Sequence, residues 1–202
     1  MGASPSSDTV KDESLYQAAA HGDAESVASL IDDAANVNHR DKQDDYATPL
    51  IAAAQEGATD VVALLLASTA IDVHIHDSWG LTACHHGARW GHDEVVRMLI
   101  AAHADLNSRS KDGFTAAHCA AERGHACSLA MLLGAGADAS ACTKDGLSVI
   151  SLAADDEACR AVVEAQRHYE EDMEEDQVQA RVRVPNEPKA AERQPLMDLP
   201  PV

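Results

Sequence analysis

Aromatic residues are scarce in this chain. Two Trp, three Tyr and one Phe make up 3% of its 202 residues, although 46% are hydrophobic. A bulky globular core is thereby excluded, and the abundant alanine points instead to thin helices packed closely together. Runs of 18 apolar residues are also missing, so no membrane-spanning helix is expected. The start lacks a charged, then apolar, then small-residue pattern, and no secretory signal is expected. Bases are few, 15 Lys and Arg against 34 Asp and Glu, for a net charge of −19. Phosphate contact needs a basic stripe, so nucleic acid is not expected as a direct ligand. The five cysteines are odd in number and carry no C-x-x-C spacing. They are expected to be reduced and mostly buried, in a cytoplasmic or nuclear setting. No nucleophile elbow, phosphate-binding glycine loop or H-E-x-x-H occurs, so neither catalysis nor a cofactor is expected. Paired acids such as Asp32-Asp33 and Asp155-Asp156 fall at helix ends, where caps and solvated charge are their ordinary use.

What the chain does have is a period. Gly22, Gly57, Gly91 and Gly124 are spaced 35, 34 and 33 residues apart, which marks a stacked repeat. The blocks 48–66 (TPLIAAAQEGATDVVALLL), 82–100 (TACHHGARWGHDEVVRMLI) and 115–133 (TAAHCAAERGHACSLAMLL) agree in phase. Thr48, Thr82, Thr115 and Ser148 precede the first helix of each unit, where a hydroxyl accepts an orphan N–H. Pro49 suits the first helical position, and the loop glycines suit a left-handed helix end. Val61, Val62, Leu64, Leu65 and Leu66 predict a second helix buried between neighbours. The Asp-Gly pairs 112–113 and 145–146 predict hairpin-like turns. About five helix pairs result.

These blocks resemble the ankyrin repeat, whose pattern runs T-P-L-H-x-A, G-H, V-V, L-L, G-A-D. The resemblance covers about residues 12–166 and implies an all-α solenoid of antiparallel helix pairs with short β-turn-like tips. Repeat bounds are expected near 12–40, 41–76, 77–109, 110–142 and 143–166, with degenerate ends. Residues 1–11 read as a disordered leader and 167–202 as an acidic, then Pro-containing tail whose first part extends the last helix. Glu157 is expected where the last loop glycine belongs. Ala83 and Ala116 stand for the family's first-turn Pro, Cys84 and Ala117 for its usual Leu, and Gly87 inside a helix costs about 1 kcal/mol, so the third and fourth repeats are expected to be locally soft.

The resemblance also implies a non-enzymatic binding module, with partners docking on turn tips and late first-helix positions. The positions so implied as partner-binding are Asp44, Asp45, Trp79, Leu81, Arg89, Trp90, Lys111, Phe114, Glu122 and Arg123, with Tyr46 in place of a tip glycine. Both tryptophans and the only phenylalanine fall in this set, and interface hot spots are rich in Trp, Tyr and Arg. Aromatics beside a tip glycine also pack on the next tip, and self-association would use the same rings. The charge is uneven: residues 1–76 hold 13 acids and 3 bases, 77–140 hold 7 and 5, and 141–202 hold 14 and 7. Acidic flanks favour a basic or mixed-charge protein partner. A masking inhibitor or assembly chaperone of a basic client, or a structural subunit of a larger assembly, are the alternative roles.

Eleven histidines invite a metal reading. His85 and His118 occupy the family's usual histidine position, which implies backbone hydrogen bonds. His86 and Cys119 align with Ala52 and are expected to face one another across a repeat boundary. No metal site is expected, since zinc needs about four converging ligands. Met1-Gly2-Ala3-Ser4-Pro5-Ser6 fits a loose N-myristoylation pattern at Gly2, but no basic cluster supplies a second membrane signal.

Overall fold

The computed structural model describes residues 7–154 and 156–167. The compact unit they form ends at Gln166. Gly2, the acidic run and the Pro-containing tail lie outside the described residues. Among the described residues, helices run in the order α1 (Ser7–Ala20), α2 (Ala24–Asp32), α3 (Pro49–Glu56), α4 (Thr59–Ala67), α5 (Ala83–Trp90), α6 (Asp93–Ala101), α7 (Ala116–Arg123), α8 (Ala126–Gly134) and α9 (Val149–Ala153). Residues 157–167 are also helical, which completes a fifth pair. The first helices α1, α3, α5, α7 and α9 pack side by side, and the second helices α2, α4, α6 and α8 form a row behind them. Among the described residues the extended backbone amounts to two isolated bridges, His76 with Thr82 and Cys142 with Ser148.

Local chemistry sets each unit. Thr48 accepts the Ile51 N–H, Thr115 accepts the His118 N–H, and Ser148 accepts the Ser151 N–H. The second helices bury equivalent positions: Val61, Val62 and Leu65 in α4, Val95, Val96 and Leu99 in α6. Leu64 and Leu66 are only partly buried against the same core. Full burial of one such leucine contributes roughly 1.5–3 kcal/mol. In α8 the matching position is Ser128, also fully buried. Its hydroxyl is satisfied by Asp93 of the preceding repeat, Oγ to Oδ1 2.6 Å.

Three kinds of contact join one repeat to the next. His85 Nε2 donates to the Phe114 carbonyl at 3.1 Å, and His118 Nε2 to the Ala141 carbonyl at 3.0 Å. Their Nδ1 atoms accept the N–H of Thr82 and Thr115, which fixes the tautomer. At the tips, the carbonyls of Asp45, Trp79 and Asp112 accept the N–H of Ser78, Lys111 and Lys144 in the following tip. At the far end, Asn38 Oδ1 accepts the Asp72 N–H and Asn107 Oδ1 accepts the Asp138 N–H. Asn107→Ala is expected to lower stability by about 0.5–1 kcal/mol, the usual worth of such a bond. A urea-unfolding midpoint would register it, and an unchanged midpoint would show the bond to be idle.

Three features differ from the sequence-based expectation. Helix α1 begins at Ser7 and so takes in residues 7–11, assigned to the leader. Lys11 and Asp12 explain the extension, since Lys11 Nζ donates to the Asp33 carbonyl and Asp12 accepts the Asn36 N–H. Gly87 has a packing role that its helix propensity does not show. It is buried, and a Cβ there would lie 3.3 Å from Val95 Cγ1, so the glycine lets α6 approach α5. In the last repeat Asp156, not the residue after Glu157, lies over Gly124. The register of this repeat is shortened, because α9 has only five residues where α7 has eight. The thiols agree with the expectation that most are buried: Cys84, Cys119 and Cys159 are, while Cys127 and Cys142 are exposed.

Candidate partner-binding groove

The tips of the second and third repeats and the ends of α3 and α5 enclose an open groove of about 370 Å³. Asp44, Asp45, Trp79, Leu81, Arg89, Trp90 and Arg123 line it. A second groove of about 240 Å³ shares Trp79, Leu81 and Arg89 and adds Phe114 and Glu122. Two expected positions stay outside both linings, Tyr46 and Lys111. Lys111 spends its backbone N–H on the Trp79 carbonyl at 2.8 Å. The ring of Tyr46 lies 5.4 Å from the Arg40 guanidinium, and Arg40 Nη2 in turn donates to the His76 carbonyl.

Each tip is closed from within by one polar residue. Asp77 Oδ1 accepts the N–H of Trp79 and Leu81. Ser110 Oγ accepts the N–H of Asp112 and Phe114. In the second repeat Asp41 Oδ1 accepts the N–H of Gln43 and Asp44. This tip is longer, and two consecutive non-glycine residues stand in left-handed backbone, Asp45 at φ 48° and Tyr46 at φ 62°. Such residues cost on the order of 1–2 kcal/mol each. The neighbouring tip holds them there: Ser78 N–H donates to the Asp45 carbonyl, and Trp79 Nε1 donates to Asp45 Oδ2 at 3.1 Å. Trp79 is thus aimed while 58% exposed, and Trp90 is 52% exposed. On this chain's own surface, both indoles present large apolar faces to solvent.

The tip side of the groove is acidic. Tyr16, a buried α1 residue, donates its hydroxyl to Asp44 Oδ2. Burial and the Asp44 carboxylate together push that phenol well above its ordinary value. Burial alone would raise the Asp77 carboxyl, yet the bonds from His86, Leu81 and Trp79 outweigh it and hold it below the usual carboxylate value. His86 Nε2 lies 2.9 Å from Asp77 Oδ2. It does not engage Cys119 as the alignment led one to expect, because the tip carboxylate of its own repeat takes the imidazole. Its Nδ1 is buried with no partner among the described residues. Opposite the acids stand Arg89 and Arg123. The Arg123 Nε is 3.9 Å from Glu122, too far for a hydrogen bond.

Phe114 has a structural share in its position. Its ring meets His118 edge-on at 5.9 Å between centroids, and its carbonyl receives His85. Tyr16 and Ser128 escaped the sequence reading, since each acts through a residue one repeat away. His92 and His125 are explained by packing. A Cβ on Gly57 or Gly91 would fall 2.5 Å from Nδ1 of His92 or His125, so each imidazole covers the loop glycine of the preceding repeat.

A family model described as ankyrin repeats in three copies matches residues 15–110, and a single ankyrin-repeat model matches residues 112–144. Together these cover more than half of the chain, and the protein belongs to the ankyrin repeat family. No curated protein matches it closely enough to count as a relative. Ankyrin repeats generally mediate protein–protein interaction.

Proposed function

We propose that the chain is a non-enzymatic adaptor or scaffold whose groove receives a protein partner of mixed charge. One observation carries this reading most. A chain with two tryptophans leaves both more than half exposed, and both border the same groove. Exposed indoles clustered beside carboxylates and guanidiniums have the composition of an interface hot spot. Asp44 and Asp45 supply the acidic rim that steers a basic group of the partner. The absence of a basic stripe argues against nucleic acid, and five unpaired thiols suit a reducing compartment, cytoplasmic or nuclear. Membrane attachment enters only if Gly2 is acylated.

Affinity capture with the parent chain beside a Trp79→Ala/Trp90→Ala variant tests the proposal. Partners retained by the parent and lost by the variant are the expected result. Equal recovery by both would exclude the groove. For a partner so found, Trp90→Ala alone is expected to weaken binding by about 1–2 kcal/mol with helicity unchanged.

The net charge of −19 favours one second reading, a masking inhibitor or assembly chaperone that covers a basic surface of its client. High salt would then weaken the complex steeply. Salt indifference would leave the aromatic anchors as the main contribution.

A further inference from the structure

We infer that Arg89 is the carboxylate receptor of this groove, so that the partner presents an Asp or Glu side chain there. The inference rests on the groove being the docking site and adds the chemistry of its occupant.

Arg89 lies in the last turn of α5 and is half-buried. It lines both grooves, together with Trp79 and Leu81. A guanidinium carries five donors in a rigid fork and holds its charge throughout the physiological range. Among the described residues, none of those donors meets a carboxylate, a carbonyl or a hydroxyl. Every other arginine of the four repeats in which the first helix ends on a loop glycine has an acceptor or a charge partner. Arg40 donates to the Tyr46 and His76 carbonyls, Arg97 to Glu94, and Arg109 to the Cys142 carbonyl. Arg123 lies near Glu122. Nor does Arg89 stack on an indole, since the one cation–ring contact among the described residues is that of Arg40 with Tyr46.

The nearby acids do not take it. Asp44 is engaged by Tyr16, Asp45 by Trp79, and Asp77 by His86. The acidic rim is thus occupied from within the chain, and Arg89, half-buried where Arg123 is exposed beside Glu122, keeps its donors with neither an acceptor nor a charge partner. A planar carboxylate matches it in bidentate geometry. A lysine or arginine of the partner gains nothing at this point and meets like charge. Charge complementarity therefore selects an acidic side chain at Arg89, with apolar neighbours on Trp79 and Leu81 and any basic neighbour on the acidic rim.

Both tryptophans border this groove, so their fluorescence reports on it directly. The probes are three acetylated, amidated hexapeptide pools, random except for a central Glu, Gln or Lys. The Glu pool is expected to change the indole emission saturably, at about tenfold lower concentration than the Gln pool, the preference a charge-assisted bond provides. Arg89→Gln is expected to bring the two pools level, and Arg89→Lys to keep a reduced preference for Glu, both with unchanged unfolding curves. Equal response of the parent to Glu and Gln pools, or preference for the Lys pool, would overturn the assignment of Arg89 and leave the groove as docking site. No response to any pool would remove both.

Discussion

Lowering the pH from 7 to 5 should destabilise the row of repeats by about 2 kcal/mol through His85 alone. Burial pushes the His85 imidazole down to about 4, against the bond to the Phe114 carbonyl, which favours the charged ring. The folded chain therefore stays unprotonated there while the unfolded chain takes up a proton near pH 6.5. Stability is greatest above that value and falls as the pH drops from 6.5 towards 4. His118 is shifted in the same direction by the same cause, burial, and adds to the slope. Asp77 has the opposite sign. Its lowered carboxyl stabilises the fold above the ordinary carboxylate value, and that contribution is lost only in stronger acid, outside this window. Urea unfolding at pH 7, 6 and 5 would measure the slope. His85→Gln is expected to flatten it while lowering stability at pH 7. A flat profile in the parent would mean that both imidazoles protonate freely in the folded state.

Gly57→Ala should be among the most damaging single substitutions in the chain, at about 3 kcal/mol. Two separable effects combine. The residue has φ 71°, where a Cβ costs on the order of 1 kcal/mol. The new methyl would also sit 2.5 Å from His92 Nδ1, so the imidazole must leave. Its departure loses the 2.9 Å bond from His92 Nε2 to the Gln55 carbonyl and the packing between two repeats. A double-mutant cycle separates the parts. In a His92→Ala background, Gly57→Ala is expected to cost only about 1 kcal/mol, the backbone share. Equal costs in both backgrounds would show that the ring is not what the glycine accommodates.

The distance along the chain over which each feature is decided explains how much was legible in the sequence. Features set within a few residues were readable: the Thr and Ser caps, Pro49, the loop glycines, the Asp-Gly turns, and hence the number of helix pairs. Family resemblance then placed Trp79, Leu81, Arg89, Trp90 and Phe114, and these do line the grooves. What failed depends on side-chain contacts that the neighbouring residues in the sequence do not announce. Gly87 reads as a weak helix former until Val95 and Val96 are seen against it. Ser128 reads as a polar interruption of an apolar helix until Asp93 supplies its partner. Tyr16 and Asp44 carry no local sign of their bond. Tyr46 is expected on the contact face from its place beside a tip, but the longer tip and Arg40 draw its ring away from the lining. In the last repeat the short α9 shifted the register, because counting forward from Ser148 assumes a full first helix.

The bonds that run from tip to tip have a consequence for the chain as it is made. The carbonyls of Asp45, Trp79 and Asp112 each meet an amide that leaves the ribosome one repeat later. Every newly emerged unit is thus finished by its successor, and translation order matches the order in which the joints close. Contacts this near in sequence favour rapid, stepwise assembly. A message truncated inside the array would yield a product whose last tip still lacks its mate, and quality-control proteases would find that end first.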